Sequence, residues 1–219
     1  MKSFNWLLVL SVLSCIGCSS PVHEDGRGCA FVSDSIQYRV EFMSAGCVRI
    51  LSFPEGDTLV TKRLVVDSEK PAFKDYKWED TGQKLLFRTR ELSVVFDKAD
   101  AAFIFQETST GKLLLKEKGD RKARNFKRSV AGGEQCLEVT QRFVPTEDEA
   151  IYGLGQYQNG IMNYRGKSVL LLQANMDIVN PFLISTNGYG VLWDNYSSTK
   201  FEDTKEGYSC LLYTSPSPR

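Results

Sequence analysis

The chain has 219 residues, of which 42% are hydrophobic and 25% charged, a composition typical of an ordinary globular protein. Basic and acidic residues number 27 each, so no overall charge would attract nucleic acid, and we predict no nucleic-acid partner. The single histidine, His23, lies beside Glu24 near the N-terminus and is interpreted as a solvated linker residue. A Ser-His-Asp triad, a Cys-His dyad and a histidine-rich zinc site are therefore excluded from the folded region.

Residues 1–18 are typical of a bacterial lipoprotein signal peptide. The apolar stretch "FNWLLVLSVL" (4–13) follows Lys2 and is too short to span a bilayer, which needs about 20 residues. The next residues, "SCIGCSS", resemble a lipobox. We predict lipidation at Cys18, with Cys15 as the alternative and an ordinary cleaved signal peptide as a further possibility. Each interpretation predicts export, and lipidation would anchor the protein to the membrane as a periplasmic or outer-membrane lipoprotein of a Gram-negative bacterium.

The body of the chain, 29–208, follows a polar linker at 19–28 and alternates between apolar and polar residues. "QYRVEF" (37–42), "LSVVFD" (92–97) and "LEVTQRF" (137–143) each line one face of a strand with apolar side chains. Further strands are predicted at 48–52, 59–67, 84–88, 103–107, 113–118, 167–173, 182–186, 190–193 and 199–203. The basic stretch 116–129 is interpreted as a solvated hairpin loop. This pattern predicts an all-β fold, an antiparallel β-sandwich.

Four cysteines follow the signal segment, at positions 29, 47, 136 and 210, without any C-x-x-C pair. A structural metal site is therefore not expected, whereas buried thiols and disulfides both remain open.

The glycine-rich stretch "YGLGQYQNG" (152–160) does not match a phosphate-binding loop. A dinucleotide fingerprint would need glycine at Gln158, and a Walker-type loop ending in "GKS" (166–168) would need glycine at Ile161. No helix-forming run follows either. From the residues alone, Gly153 and Gly155 permit unusual backbone angles at a corner of the sheet. We predict no cofactor.

Several ordered motifs between 149 and 201 resemble the N-terminal domain of glycoside hydrolase family 31, which includes α-glucosidases and α-xylosidases. They are "YGLGQ" (152–156), "NMD" (175–177), "PF" (181–182), Ser185, "GYG" (188–190) and "DN" (194–195). The looser match of "GCVRILSFPEGD" (46–57) extends the resemblance to roughly 30–205. The variants present here look most like bacterial α-xylosidases that act on xyloglucan side chains.

The resemblance implies a galactose-mutarotase-like β-sandwich that packs on a following (β/α)8 barrel. In the family, the barrel carries the nucleophile and the acid/base carboxylates, and no residue of this chain matches them. We therefore expect no catalytic residue here and interpret the chain as the non-catalytic N-terminal portion of a retaining α-glycosidase. The tail "SCLLYTSPSPR" (209–219) resembles a translated sequencing adapter, and the native sequence is predicted to stop near Gly207 or Tyr208. A genuine Ser/Pro-rich linker is the alternative.

In relatives, one loop of this domain lines the subsite for the leaving-group sugar, and the corresponding stretch here is 173–177. Asn175 and Asp177 are therefore candidate contacts to an α-xylosyl or α-glucosyl oligosaccharide, while a plain turn before Pro181 is the alternative. Tyr152 and Trp193 are candidates for stacking on sugars or for the core. A different class of function also remains open: a stand-alone surface lipoprotein that binds glycans without hydrolysing them.

Overall fold

The computed structural model describes residues 22–57, 65, 71–131, 133–194, 197–204 and 207–214. The predicted signal peptide, Cys15, Cys18 and nearly all of the strand predicted at 59–67 lie outside these residues. Within the described part of the chain, no helix has the length and apolarity needed to cross a membrane.

All regular elements in the described residues are strands, and all their pairings are antiparallel. They are β1 (His23–Glu24), β2 (Cys29–Ser33), β3 (Ile36–Ser44), β4 (Cys47–Pro54), β5 (Lys77–Asp80), β6 (Lys84–Arg88), β7 (Leu92–Asp97), β8 (Ala102–Glu107), β9 (Leu113–Glu117), β10 (Arg124–Ala131), β11 (Glu134–Val144), β12 (Ile151–Gln156), β13 (Ser168–Leu171), β14 (Ile178–Ser185), β15 (Tyr189–Leu192), β16 (Thr199–Thr204) and β17 (Gly207–Thr214). The all-β prediction is confirmed.

The strands form three sheets over the described residues. The large sheet has the order β13-β16-β17-β11-β9-β8-β7-β6-β5, and β10 also pairs with β11. A four-stranded sheet has the order β1-β2-β3-β4, and the small sheet has the order β12-β14-β15. Both smaller sheets share a buried core with the large sheet, one at each end, which gives the two-layer arrangement of a sandwich.

Each smaller sheet encloses its own group of aromatic side chains. In the first core, Phe31 and Tyr38 of the four-stranded sheet contact Phe96 of the large sheet, with ring centroids 4.8 and 5.0 Å apart. In the second core, Leu183 of the small sheet is fully buried with Phe201 of the large sheet. Alternating apolar residues produce this arrangement because they give each strand one face to bury.

The interpretation of 116–129 as a solvated hairpin loop is wrong. Residues 124–131 form β10, which pairs in register with β11 from Arg124↔Gln141 to Ala131↔Glu134. The basic side chains are accommodated because carboxylates meet them: Arg124 pairs with Glu117, Lys127 with Glu138 and Arg128 with Asp57. The high density of basic residues in this stretch therefore concealed strand β10 from the sequence analysis.

Strands of the structure extend past both ends of the predicted body, 29–208. In the predicted linker 19–28, the exposed His23 belongs to β1, and Glu24 accepts hydrogen bonds from Tyr76 Oη (3.0 Å) and Trp78 Nε1 (2.9 Å). At the other end, β17 continues past residue 208 to Thr214 between β11 and β16, and Cys210 is fully buried. The adapter origin of the last residues stays a prediction.

Candidate functional site

The glycine motif forms a bulge between β12 and β14. Three successive residues, Gly153, Leu154 and Gly155, have positive φ angles of 101°, 65° and 117°. The turned backbone buries the Leu154 side chain completely and brings β12 close to β14. A Cβ at Gly155 would lie 2.1 Å from the carbonyl oxygen of Ile178, so only glycine fits. The motif is thus a structural corner, in agreement with the interpretation based on residues alone.

The stretch that contains Asn175 and Asp177 is a tight turn at the start of β14. The Asp177 amide donates to the Ala174 carbonyl oxygen at 3.2 Å, and Met176 has a φ of 70°. Gln173 fixes the turn from one side: its Nε2 donates to the Asp177 carbonyl at 2.8 Å, and its Oε1 accepts from the Val179 amide at 3.2 Å. Asn175 is exposed and Asp177 half-buried, and these backbone contacts leave both side chains available at the surface.

The turn and the glycine motif meet at one edge of the small sheet, because Gln156 pairs with Ile178 in register. Tyr157 follows and donates its hydroxyl to the Leu154 carbonyl at 3.1 Å. Burial, together with the nearby Tyr164 and Asp177, raises the pKa of the Tyr157 phenol to about 12. Tyr157 therefore serves at neutral pH as an uncharged hydrogen-bonding group.

This edge can bind hydroxyl groups, but it lacks the carboxylates that glycoside hydrolysis requires. Asp177 is the one acidic residue between positions 150 and 193. Retaining hydrolysis needs two carboxyl groups about 5–5.5 Å apart, and a single carboxylate cannot serve as both nucleophile and acid. Over the described residues, no group of three or more histidine, cysteine, aspartate or glutamate side chains is placed to hold a metal ion.

The two candidate stacking aromatics have different environments. Trp193 is buried in the second core, and its Nε1 donates to Gln141 Oε1 at 3.0 Å, so it belongs to the core and cannot stack on a sugar. Tyr152 is half-buried on the outer face of the small sheet, opposite Ile184. Asp194, the residue after Trp193, has its carboxylate 3.9 Å from Nη2 of Arg49 in β4 of the four-stranded sheet.

The motif residues Ser185 and Tyr189 bind a buried carboxylate that the sequence did not single out. Glu149 accepts hydrogen bonds from Ser185 Oγ at 2.5 Å, from the Tyr189 hydroxyl and from the Thr146 amide at 2.9 Å. The Tyr189 hydroxyl also lies 2.7 Å from that of Tyr208 in the large sheet. Burial raises the pKa of both tyrosines. These motif residues thus join the two layers of the sandwich.

Comparison with known proteins identifies the domain. The family model of the glycosyl hydrolase 31 N-terminal galactose mutarotase-like domain matches residues 37–202. An α-xylosidase of Saccharolobus solfataricus is 34% identical over an alignment of 178 residues, and the match covers 74% of this chain and 23% of that protein.

Solved structures agree with this match. The GH31 α-xylosidase from Xanthomonas citri superposes with a TM-score of 0.73 at 31% identity, over 84% of this chain and 20% of that one. The GH31 α-xylosidase from a soil metagenome, solved with xylose, gives a TM-score of 0.70 at 22% identity over 90% of this chain and 32% of that one, which shows the fold alone. The chain thus spans from about a fifth to a third of the length of these relatives.

Proposed function

Because the chain belongs to glycoside hydrolase family 31 through its N-terminal galactose mutarotase-like domain, we propose that it is the non-catalytic N-terminal portion of an exported retaining α-glycosidase. The parent enzyme would act on α-xylosyl or α-glucosyl oligosaccharides, with an α-xylosidase favoured by two of the relatives. The observation that carries the proposal is the family match over 37–202 in a chain that spans only 23% of the S. solfataricus protein.

In this proposal, the remainder of the enzyme supplies both catalytic carboxylates. The present domain supports that part and contributes one polar edge to the substrate-binding site. Asn175 and Asp177 would extend from the turn toward the leaving-group sugar, where an amide and a carboxylate can bind paired hydroxyl groups. The turn is fixed by Gln173, so its groups would be positioned before substrate arrives. The predicted lipid anchor would hold the enzyme at a membrane surface, where oligosaccharides reach it from outside the cytoplasm.

Residues 19–219, purified without the signal segment and Cys18, are expected to release no p-nitrophenol from p-nitrophenyl α-xyloside or α-glucoside. The same sample in a calorimeter should give no measurable heat of binding with xyloglucan oligosaccharides, since one polar edge presents too few contacts. Turnover that survives repurification would contradict the proposal. Clear affinity without turnover would favour the stand-alone glycan-binding lipoprotein instead.

In the complete enzyme, Asp177→Asn is expected to raise KM for an oligosaccharide about 10- to 150-fold, because a hydrogen bond to a charged group contributes about 1.5–3 kcal/mol. The KM for an aryl xyloside that lacks the leaving-group sugar should stay within about twofold, since Asp177 would contact only that sugar. Glu202→Gln, on the outer face of β16 with 42% of its side chain exposed, serves as the control and should change neither value. Equal effects of Asp177→Asn on both substrates would contradict the assigned contact.

A further inference from the structure

The outer face of the small sheet is apolar, and no element among the described residues covers it. Along β14, Ile178 and Ile184 are 57% and 51% exposed, and Leu192 of β15, which pairs with Phe182, is 43% exposed. Tyr152 of β12 joins them opposite Ile184. We call this set the outer apolar face; its members are Tyr152, Ile178, Phe182, Ile184 and Leu192.

The inner face of the same sheet is already occupied. Val179 and Leu183 of β14, with Val191 of β15, pack into the second core. As a result, "IVNPFLIS" (178–185) is apolar on both faces for most of its length. Strands with such runs are typical of sheets that are covered on both sides, whereas a sheet with one wet face alternates apolar and polar residues.

The outer apolar face also lacks charge, unlike the solvent-facing strands of the large sheet. The outward positions of β12, β14 and β15 carry Tyr, Gln, Ile, Asn, Phe, Gly and Leu, with no lysine, arginine, aspartate or glutamate. By contrast, exposed positions of the large sheet include Lys200 of β16 and Lys127 of β10. Depletion of charged residues distinguishes the centre of an interface from ordinary surface, and contiguous apolar patches on soluble proteins mark interaction sites.

We propose that the outer apolar face is the surface on which the remainder of the parent polypeptide docks, so that residues C-terminal to this chain cover Ile178, Ile184 and Leu192. This inference rests on the proposed function, because the occupant is the rest of the enzyme. The length of the relatives supports that occupant: about four fifths of the X. citri α-xylosidase lies outside the part this chain covers. A covalently attached body acts at millimolar effective concentration, so it outcompetes a second copy of the chain.

Docking on this face would also account for the position of the polar turn. Asn175 and Asp177 lie directly before Ile178, at the border of the outer apolar face. A body packed on Ile178 would therefore adjoin the turn and place the two polar side chains at its rim. Interfaces commonly have this arrangement of an apolar centre and a polar rim.

The test compares Ile184→Asp in two proteins: the short chain, residues 19–219, and the long protein, the complete parent enzyme that the proposed function implies. In the short chain, the side chain at 184 is half exposed, so the variant should unfold within a few degrees of Val130→Asp, a matched strand position that is 68% exposed. In the long protein, an unpaired carboxylate buried in the interface should speed native-state proteolysis of the domain junction roughly tenfold or more, while Val130→Asp should leave it unchanged.

Equal effects of Ile184→Asp and Val130→Asp on proteolysis of the junction in the long protein would contradict the assignment of the docking surface. A long protein that is dimeric, and that Ile184→Asp converts to monomers without exposing the junction, would assign the face to a second copy and also overturn it. The proposed function has a separate readout, the hydrolysis of α-xyloside. Loss of docking with intact hydrolysis would reject only the surface, and intact docking without hydrolysis would reject only the function.

Discussion

Glu117→Ala is expected to lower the free energy of unfolding by about 3–5 kcal/mol, because it leaves the buried Arg124 guanidinium without its carboxylate. Glu117 is fully buried and accepts hydrogen bonds from Arg124 Nη1 at 2.9 Å, Gln141 Nε2 at 2.8 Å and the Phe103 amide at 2.9 Å. Arg124 Nη2 lies 2.6 Å from the second carboxylate oxygen. Removing the carboxylate therefore leaves several buried hydrogen-bond donors without an acceptor.

The effect should be large for a second reason: this network connects the two halves of the sandwich. On one side, the Arg124 guanidinium lies 5.1 Å from the ring centroid of Phe103 in the first core. On the other, Gln141 accepts the hydrogen bond from Trp193 in the second core. Glu117 lies between them, so its loss should weaken the contact between the two cores and also remove the ion pair with Arg124.

Urea unfolding, followed by tryptophan fluorescence, measures the change. Glu202→Ala, which breaks an exposed pair with Lys200, is the matched control and should cost less than about 1 kcal/mol. The double variant Glu117→Leu/Arg124→Met should recover most of the stability, because it removes both charges and restores apolar packing. A loss below about 1 kcal/mol for Glu117→Ala, or no recovery in the double variant, would contradict a coupled buried pair.

Gly155→Ala is expected to cost more than about 2 kcal/mol of stability, since it combines a disfavoured backbone angle with a steric clash. The φ of Gly155 is 117°, and an added Cβ would meet the Ile178 carbonyl oxygen at 2.1 Å and the Asn180 amide nitrogen at 2.9 Å. Relief of that contact requires β12 to move away from β14. Such a movement would pull the fully buried Leu154 out of the core.

Gly160→Ala is the control from the same glycine-rich stretch. Gly160 has a positive φ of 69°, yet nothing lies within 4 Å of its Cβ position. The left-handed conformation alone costs about 1–2 kcal/mol for a residue with a Cβ. In thermal unfolding, the melting temperature of Gly155→Ala should therefore be clearly lower than that of Gly160→Ala. Equal melting temperatures would mean that the close approach of β12 and β14 does not contribute to the stability of the fold.

Simple alternation predicted the strands that have one buried face and one wet face. Tyr38, Val40 and Phe42 point inward from β3 as expected, because period-two patterning is enough to define such a strand. The rule failed where other features concealed the pattern. Arg124 gave β10 the appearance of a loop, although its buried partner Glu117 lies seven residues earlier. Gly153 and Gly155 concealed β12, because glycine carries no patterning information.

At the candidate site, the sequence identified the motif residues but not all of their roles. The order of "YGLGQ", "NMD" and "GYG" led to the correct family and located the turn at Asn175 and Asp177. It could not reveal that Tyr189 and Ser185 bind Glu149, since that contact depends on the pairing of β14 and β15. Sugar binding by Asp177 stays a prediction, because it involves atoms outside this chain.

The most direct measurement is the hydrolysis of p-nitrophenyl α-xyloside by the long protein, the complete parent enzyme, assayed beside the short chain, residues 19–219, under the same conditions. The account predicts turnover by the long protein and none by the short chain, because only the long protein would hold the two carboxylates that a retaining glycosidase needs. Turnover by the short chain, or a gene that ends with its own stop codon where this chain ends, would contradict it.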